Sequence, residues 1–178
     1  MAVEVDKILR ALLTSGVDPV ERKKCNKSVK RTLRKLAEEQ GFRQYDNAPG
    51  NDGEWMDMDV VWWENEKSSQ PGSQKAVLVA ECELDPRRAN IVADFQKLPS
   101  FKAPWKLMVF RCDERELKAH ETVEQFEKYL EAFSQHVEGE HYVAVALGCG
   151  NSASHCYEFT VRRVQDGKVE PGTVRFQQ

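Results

Sequence analysis

The run AVLVAECELDPRR at 76–88 opens with five residues apolar enough for a buried strand, then sets Glu81 and Glu83 one residue apart. Upstream, EWMDMDVVWWE at 54–64 gives Asp57 and Asp59 the same spacing. Residues two apart share a face of an extended chain, so each acidic pair projects as a unit. Where the two strands are neighbours, Asp59 and Glu81 converge at one end of a sheet. Converging carboxylates repel, and burying them is costly unless a cation sits between them. Hard oxygen ligands with open positions suit Mg²⁺ or Mn²⁺, which keep several waters and accept phosphate oxygens. Such an ion acidifies a water and stabilises charge on a phosphodiester. The chemistry implied is metal-assisted phosphodiester hydrolysis, with Asp59 and Glu81 as the metal ligands.

The elements that must position these acids follow from the apolar spacing. Val5, Ile8, Leu9 and Leu12 predict a helix over 3–13. Asp18, Pro19 and Glu21 read as N-cap, first helical residue and capping-box acid of a second helix, which runs to about Gln40 and closes at Gly41. Strands are expected at 42–47 and 54–64. In the second, Met56, Met58, Val60 and Trp62 face one way, and Trp55, Asp57, Asp59, Val61 and Trp63 the other. A third strand covers 76–84. Asp85 and Pro86 repeat the cap-plus-proline signal before a helix holding Ile91, Val92, Phe95 and Leu98. After Pro104 come a strand at 105–112, a helix from about Glu114 to Val137, strands at 141–147 and 156–164, and a last short strand beyond the QDGK turn. The order α-α-β-β-β-α-β-α-β-β-β predicts the α/β class, a mixed sheet with helices, as a single domain over 1–178.

The chain of 178 residues is long enough for one proper core. No apolar run approaches the roughly 18 residues of a membrane span. The start, MAVEVDKILR, lacks the basic-then-apolar order of a signal peptide. Five cysteines, an odd number without CxxC spacing, point to a reducing compartment, so a cytoplasmic location is expected.

A net charge of −3 excludes a general polycation, yet the charge is uneven: 22–35 holds eight Lys or Arg and no acid. On a helical wheel, Lys23, Lys27, Lys30, Arg31, Arg34 and Lys35 fall opposite the stripe of Cys25, Val29, Leu33, Leu36 and Ala37. The first five of these cations form a candidate row for nucleic-acid phosphates. Trp55 is the aromatic expected to be exposed for base stacking, while Trp62 and Cys82 are expected in the core. Cys149, His155 and Cys156, with His141 nearby, match no usual zinc spacing. No Ser-His-Asp pattern, glycine-rich phosphate loop or HExxH occurs.

Helix, three strands, helix, strand, with Asp59 opening the hydrophobic run VVWW and an acid-x-x pattern ending the next strand, resembles the PD-(D/E)xK nuclease superfamily. That group includes restriction endonucleases and Holliday-junction resolvases. The resemblance covers roughly Cys25 to Cys112. It implies a restriction-endonuclease-like core at about 18–112, with an additional helix and strands at about 113–178. Asp59 matches the motif aspartate, Glu81 the D/E position, and Glu83 stands where the superfamily commonly has lysine. Met58 stands where the motif often has proline. Some members carry glutamate at the lysine position and others move the lysine to the following helix, which makes Lys97, three residues after Asp94, its counterpart here. The resemblance implies Mg²⁺-dependent (or Mn²⁺-dependent) DNA hydrolysis, with Asp59, Glu81, Glu83 and Lys97 as catalytic residues. DNA is then the expected partner, with no membrane association, and a second copy of the chain is a candidate partner. The alternative expectation is a non-catalytic nuclease-fold module that binds nucleic acid or a protein.

Overall fold

The structure, a computed structural model, describes residues 2–14, 19–46, 58–64, 75–112, 118–133, 139–149, 154–160 and 170–177. Its elements are α1 (Val5–Leu13), α2 (Arg22–Glu39), β1 (Phe42–Asp46), β2 (Val60–Glu64), β3 (Ala76–Glu83), α3 (Arg88–Phe95), β4 (Trp105–Cys112), α4 (Ala119–Ala132), β5 (His141–Gly148), β6 (His155–Thr160) and β7 (Glu170–Gln177). A 3₁₀ turn at Leu98–Ser100 follows α3. The seven strands form one sheet in chain order. Neighbours β1, β2 and β3 are antiparallel, β3, β4 and β5 are parallel, and β6 and β7 return antiparallel. The protein is therefore of the α/β class, and its C-terminal strands extend the same sheet that carries Glu81 and Glu83. No helix among the described residues is long and apolar enough to cross a membrane.

Each parallel pair needs a crossover, and α3 and α4 supply them. Both lie on one face, where Ile91, Phe95, Val123, Phe126 and Leu130 meet Val61, Val79, Met108, Phe110 and Ala144. On the other face α1 and α2 bring Ile8, Leu9, Leu12, Cys25, Val29 and Leu33 onto Trp62, Leu78, Ala80, Cys82 and Val109. Covering both faces explains why Val60, Val61, Trp62 and Trp63 are all buried, where alternation alone would leave one set half-exposed.

Several boundaries differ from the sequence expectation. α2 starts at Arg22, with Glu21 as a cap residue that makes no side-chain capping bond. Glu21 instead pairs with Lys24 at 2.9 Å, and the expected cap, Asp18, lies outside the described residues. The other end is as expected: Gly41 takes φ +78°, the left-handed geometry that glycine adopts without strain. β2 begins at Val60, with Asp59 in a bend just before it; Trp55 and Asp57 lie outside the described residues. α3 is capped at Arg87, because the Asp85 side chain turns to accept the Arg87 N–H at 2.9 Å. α4 spans Ala119–Ala132, shorter than 114–137, and its C-cap is Phe133 in an extended conformation. Leu117, Val137 and the QDGK turn fall outside the described residues.

Phe95 of α3 stacks on Phe126 of α4 with ring centroids 3.9 Å apart, and Phe126 meets Phe110 of β4 edge-on at 5.8 Å. This aromatic contact seats the helix that leads into Lys97. Phe126→Ala should cost about 3–5 kcal/mol and lower the melting temperature accordingly. Amides of α3 should exchange faster in the variant than those of α2. Equal exchange in the two helices would show that α3 is held by something else.

Candidate functional site

The β2–β3 register pairs Val60 with Ala80, so the residue before Val60 lies level with Glu81. Asp59 fills that place. Its Oδ2 accepts the Cys82 backbone N–H at 2.9 Å, and its Oδ1 accepts a hydrogen bond from the Lys30 ammonium at 2.6 Å. Along β3, Cys82 points into the α1–α2 core, while Glu81 and Glu83 point towards α3. The two carboxylates foreseen at the end of a core strand are thus side by side, with Asp59 beside the first.

Glu81 is closed in, with 2% of its surface exposed. Its Oε1 accepts no hydrogen bond, and the Lys97 ammonium stands 3.6 Å from it. Burial pushes the Glu81 carboxyl up to about 9, the charge of Asp59 adds to the rise, and Lys97 opposes it. Lys97 also pairs with Asp94 at 2.8 Å. Burial would lower the Lys97 ammonium, but the Asp94 hydrogen bond and the charges of Glu81, Asp94 and Asp59 outweigh it, so its pKa is raised and it stays charged. Glu83 is half-buried, and its Oε1 accepts the Asp85 N–H at 2.6 Å. Partial burial raises its pKa, that hydrogen bond resists the rise, and Asp94 adds to it. Beyond Glu83, Asp85 is held low by the Arg87 guanidinium and then Arg22, which approaches at 3.0 Å from α2.

Asp59, Glu81, Glu83 and Lys97 therefore gather at one place, with Asp94 and Lys30 added to them. Sequence reasoning placed Lys30 in the open phosphate row; in the structure its side chain is only 13% exposed and its ammonium sits on Asp59. The signal was present in the wheel. At 100° per residue Lys30 falls about 20° from Ala37, at the edge of the buried arc. Lys23, Lys27 and Arg31 are exposed as expected, and Arg34 is half-buried. Trp63 is buried along with Trp62, which leaves neither ring open to bases.

Among the described residues no group of three or more His, Cys, Asp or Glu side chains could hold a metal ion. Two carboxylates suffice for a partial site, because Mg²⁺ binds through one or two of them and keeps waters. The buried, unbonded Glu81 Oε1 next to the Asp59 carboxylate fits that kind of ion. No protein-family model and no curated protein matches the chain.

The folded Glu81 carboxyl titrates near 9 and an exposed one near 4.5, so between those values the folded state holds an extra proton. Its contribution to stability is full below about pH 4.5, declines as pH rises through this window, and is gone above about pH 9. In chelator-treated buffer, Glu81→Gln should melt above wild type at pH 8, and the gap should close towards pH 5. Melting curves that stay parallel across that range would contradict the burial of an acidic proton here.

Proposed function

We propose that the chain is a metal-dependent nuclease with a restriction-endonuclease-like core, hydrolysing DNA phosphodiester bonds at Asp59, Glu81, Glu83 and Lys97. The observation that carries this reading is the buried Glu81 carboxyl beside the Asp59 carboxylate; the Glu81 Oε1 accepts no hydrogen bond and has the Lys97 ammonium at 3.6 Å. A protein retains so costly a pair of acids where a cation is to be bound. The succession α2-β1-β2-β3-α3-β4, with Asp59 just before β2 and Glu81 on the adjacent β3, supports the same reading. Five free, buried cysteines suit a cytoplasmic enzyme.

Asp59 and Glu81 would hold Mg²⁺ or Mn²⁺, which when bound supplies Lewis-acid polarisation and an acidified water. Glu83, half-exposed and with a raised pKa, is placed to orient the attacking water and take its proton. Lys97 keeps its charge and stands 3.6 Å from Glu81, where it would stabilise charge growing on the phosphoryl oxygens. On α2, Lys23, Lys27 and Arg31 recur every four residues, about 6 Å along the axis. That is close to the rise of two nucleotides on one strand of DNA. Such a row holds backbone without reading sequence.

One observation favours the alternative of a non-catalytic binding module: Lys30 and Lys97 already neutralise acids of the cluster. Cleavage assays on duplex, branched and single-stranded DNA separate the two. With Mg²⁺ or Mn²⁺ the wild type should cut, Glu83→Ala should be inactive, and Lys97→Met should lose about a hundredfold in kcat. An inert wild type on every form would move the assignment to the binding module. Replacing Lys23, Lys27 and Arg31 with Gln should reduce the slope of log affinity against log salt by up to about 3. A slope equal to that of wild type would remove the row from the interface.

A further inference from the structure

The Lys30–Asp59 pair joins the basic helix directly to a carboxylate of the cluster. Asp59 Oδ1 receives the ammonium at 2.6 Å and Oδ2 receives the Cys82 N–H at 2.9 Å, so both oxygens are occupied by donors from the protein. Glu81 Oε1, by contrast, accepts nothing. We propose that Lys30 is a tethered counter-ion that holds Asp59 until a divalent cation takes its place, and that the displaced ammonium then joins the phosphate-contacting row of α2. This rests on the reading of Asp59 and Glu81 as metal ligands.

The physical case has three parts. First, a divalent ion on Asp59 puts two positive charges at ion-pair distance from the ammonium, in a partly buried place where screening is weak. Direct contact of both with one carboxylate is then strongly disfavoured. Second, lysine carries its charge on a flexible four-carbon stem and can leave without moving the helix. Third, its neighbours on that flank of α2 are cations: Lys27 lies one turn before and Arg34 one turn after. A released ammonium therefore arrives where nucleic-acid phosphates would lie and where, without them, it meets like charge.

Metal and nucleic acid each favour the state in which Lys30 has left Asp59. By linkage each must strengthen the other's binding, and Lys30 is the residue that couples them. The geometry also explains how an acidic pair stays folded without metal: the lysine takes the charge that the ion would otherwise take.

The test has two arms. Calorimetric titration with Mn²⁺ compares wild type, Lys30→Met and Lys30→Arg, each with and without a saturating phosphorothioate duplex. Lys30→Met should bind Mn²⁺ about tenfold more tightly than wild type, because the competitor is gone. Lys30→Arg should keep an affinity close to wild type. The duplex should tighten Mn²⁺ binding about fivefold in wild type, the lower end of ordinary coupling, and not in Lys30→Met. The second arm uses the unaltered protein and so does not depend on the variants folding. Amine acetylation read by mass spectrometry should modify Lys30 severalfold faster with saturating Mn²⁺ present, while Lys27 is unchanged. Mn²⁺ binding by wild type together with an unchanged Lys30 acetylation rate, or with no gain in a folded Lys30→Met, overturns the counter-ion role alone. Wild type that binds no Mn²⁺ overturns the metal site, and the counter-ion role with it.

Discussion

Asp59 reaches from the start of β2 to the Cys82 backbone N–H, and this 2.9 Å hydrogen bond fixes the second carboxylate against the end of β3. The bond is available because β2 and β3 are antiparallel neighbours with Val60 opposite Ala80. A slip of one residue would send Glu81 and Glu83 into the α1–α2 core and bring Cys82 out to α3. The register is in turn enforced by burial on both faces, where Trp62 is locked to one layer and Val61 and Trp63 to the other. Packing of the most apolar part of the chain thereby sets the position of its most polar cluster.

Given that position, the rest of the site is a problem of charge. Asp59, Glu81, Glu83 and Asp94 bring four acids to one end of the sheet, and each layer of helices sends one lysine. Lys30 comes from α2 on one side and Lys97 from the end of α3 on the other. Two ammoniums facing four acids leave a deficit of positive charge. Within the protein a proton on Glu81 halves that deficit, since burial pushes this carboxyl up to about 9, above neutral pH. In the proposed reading a divalent cation would replace that proton, bound through the hard oxygens of Asp59 and Glu81. The nuclease reading is thus an electrostatic argument first and a resemblance second.

Much of this was legible from local signals. The order of elements was readable because each helix carries its own apolar stripe and each strand its own run. The convergence of Asp59 and Glu81 needed only the assumption that two successive strands are neighbours, and Asp94 could be matched to Lys97 by their three-residue spacing. What escaped depends on other parts of the chain. Lys30 looked like surface because the wheel puts it at the edge of the buried arc but does not show Asp59, which comes from just before β2 to meet it. Lys106 sits inside the apolar strand WKLMVFRC and is fully buried, paired at 2.5 Å with Glu140, a partner 34 residues away that no periodicity connects to it. The start of α2 was misplaced because Glu21 pairs with Lys24 and does not cap.

The metal site requires a divalent ion in the space between Asp59 and Glu81. Anomalous scattering from a crystal soaked in Mn²⁺ tests this directly. The expected result is one strong peak within about 2.2 Å of an oxygen of each carboxylate, completed by waters, with the Lys30 ammonium withdrawn from Asp59. A crystal with no peak there, and with Lys30 still on Asp59 at a saturating Mn²⁺ concentration, would contradict it.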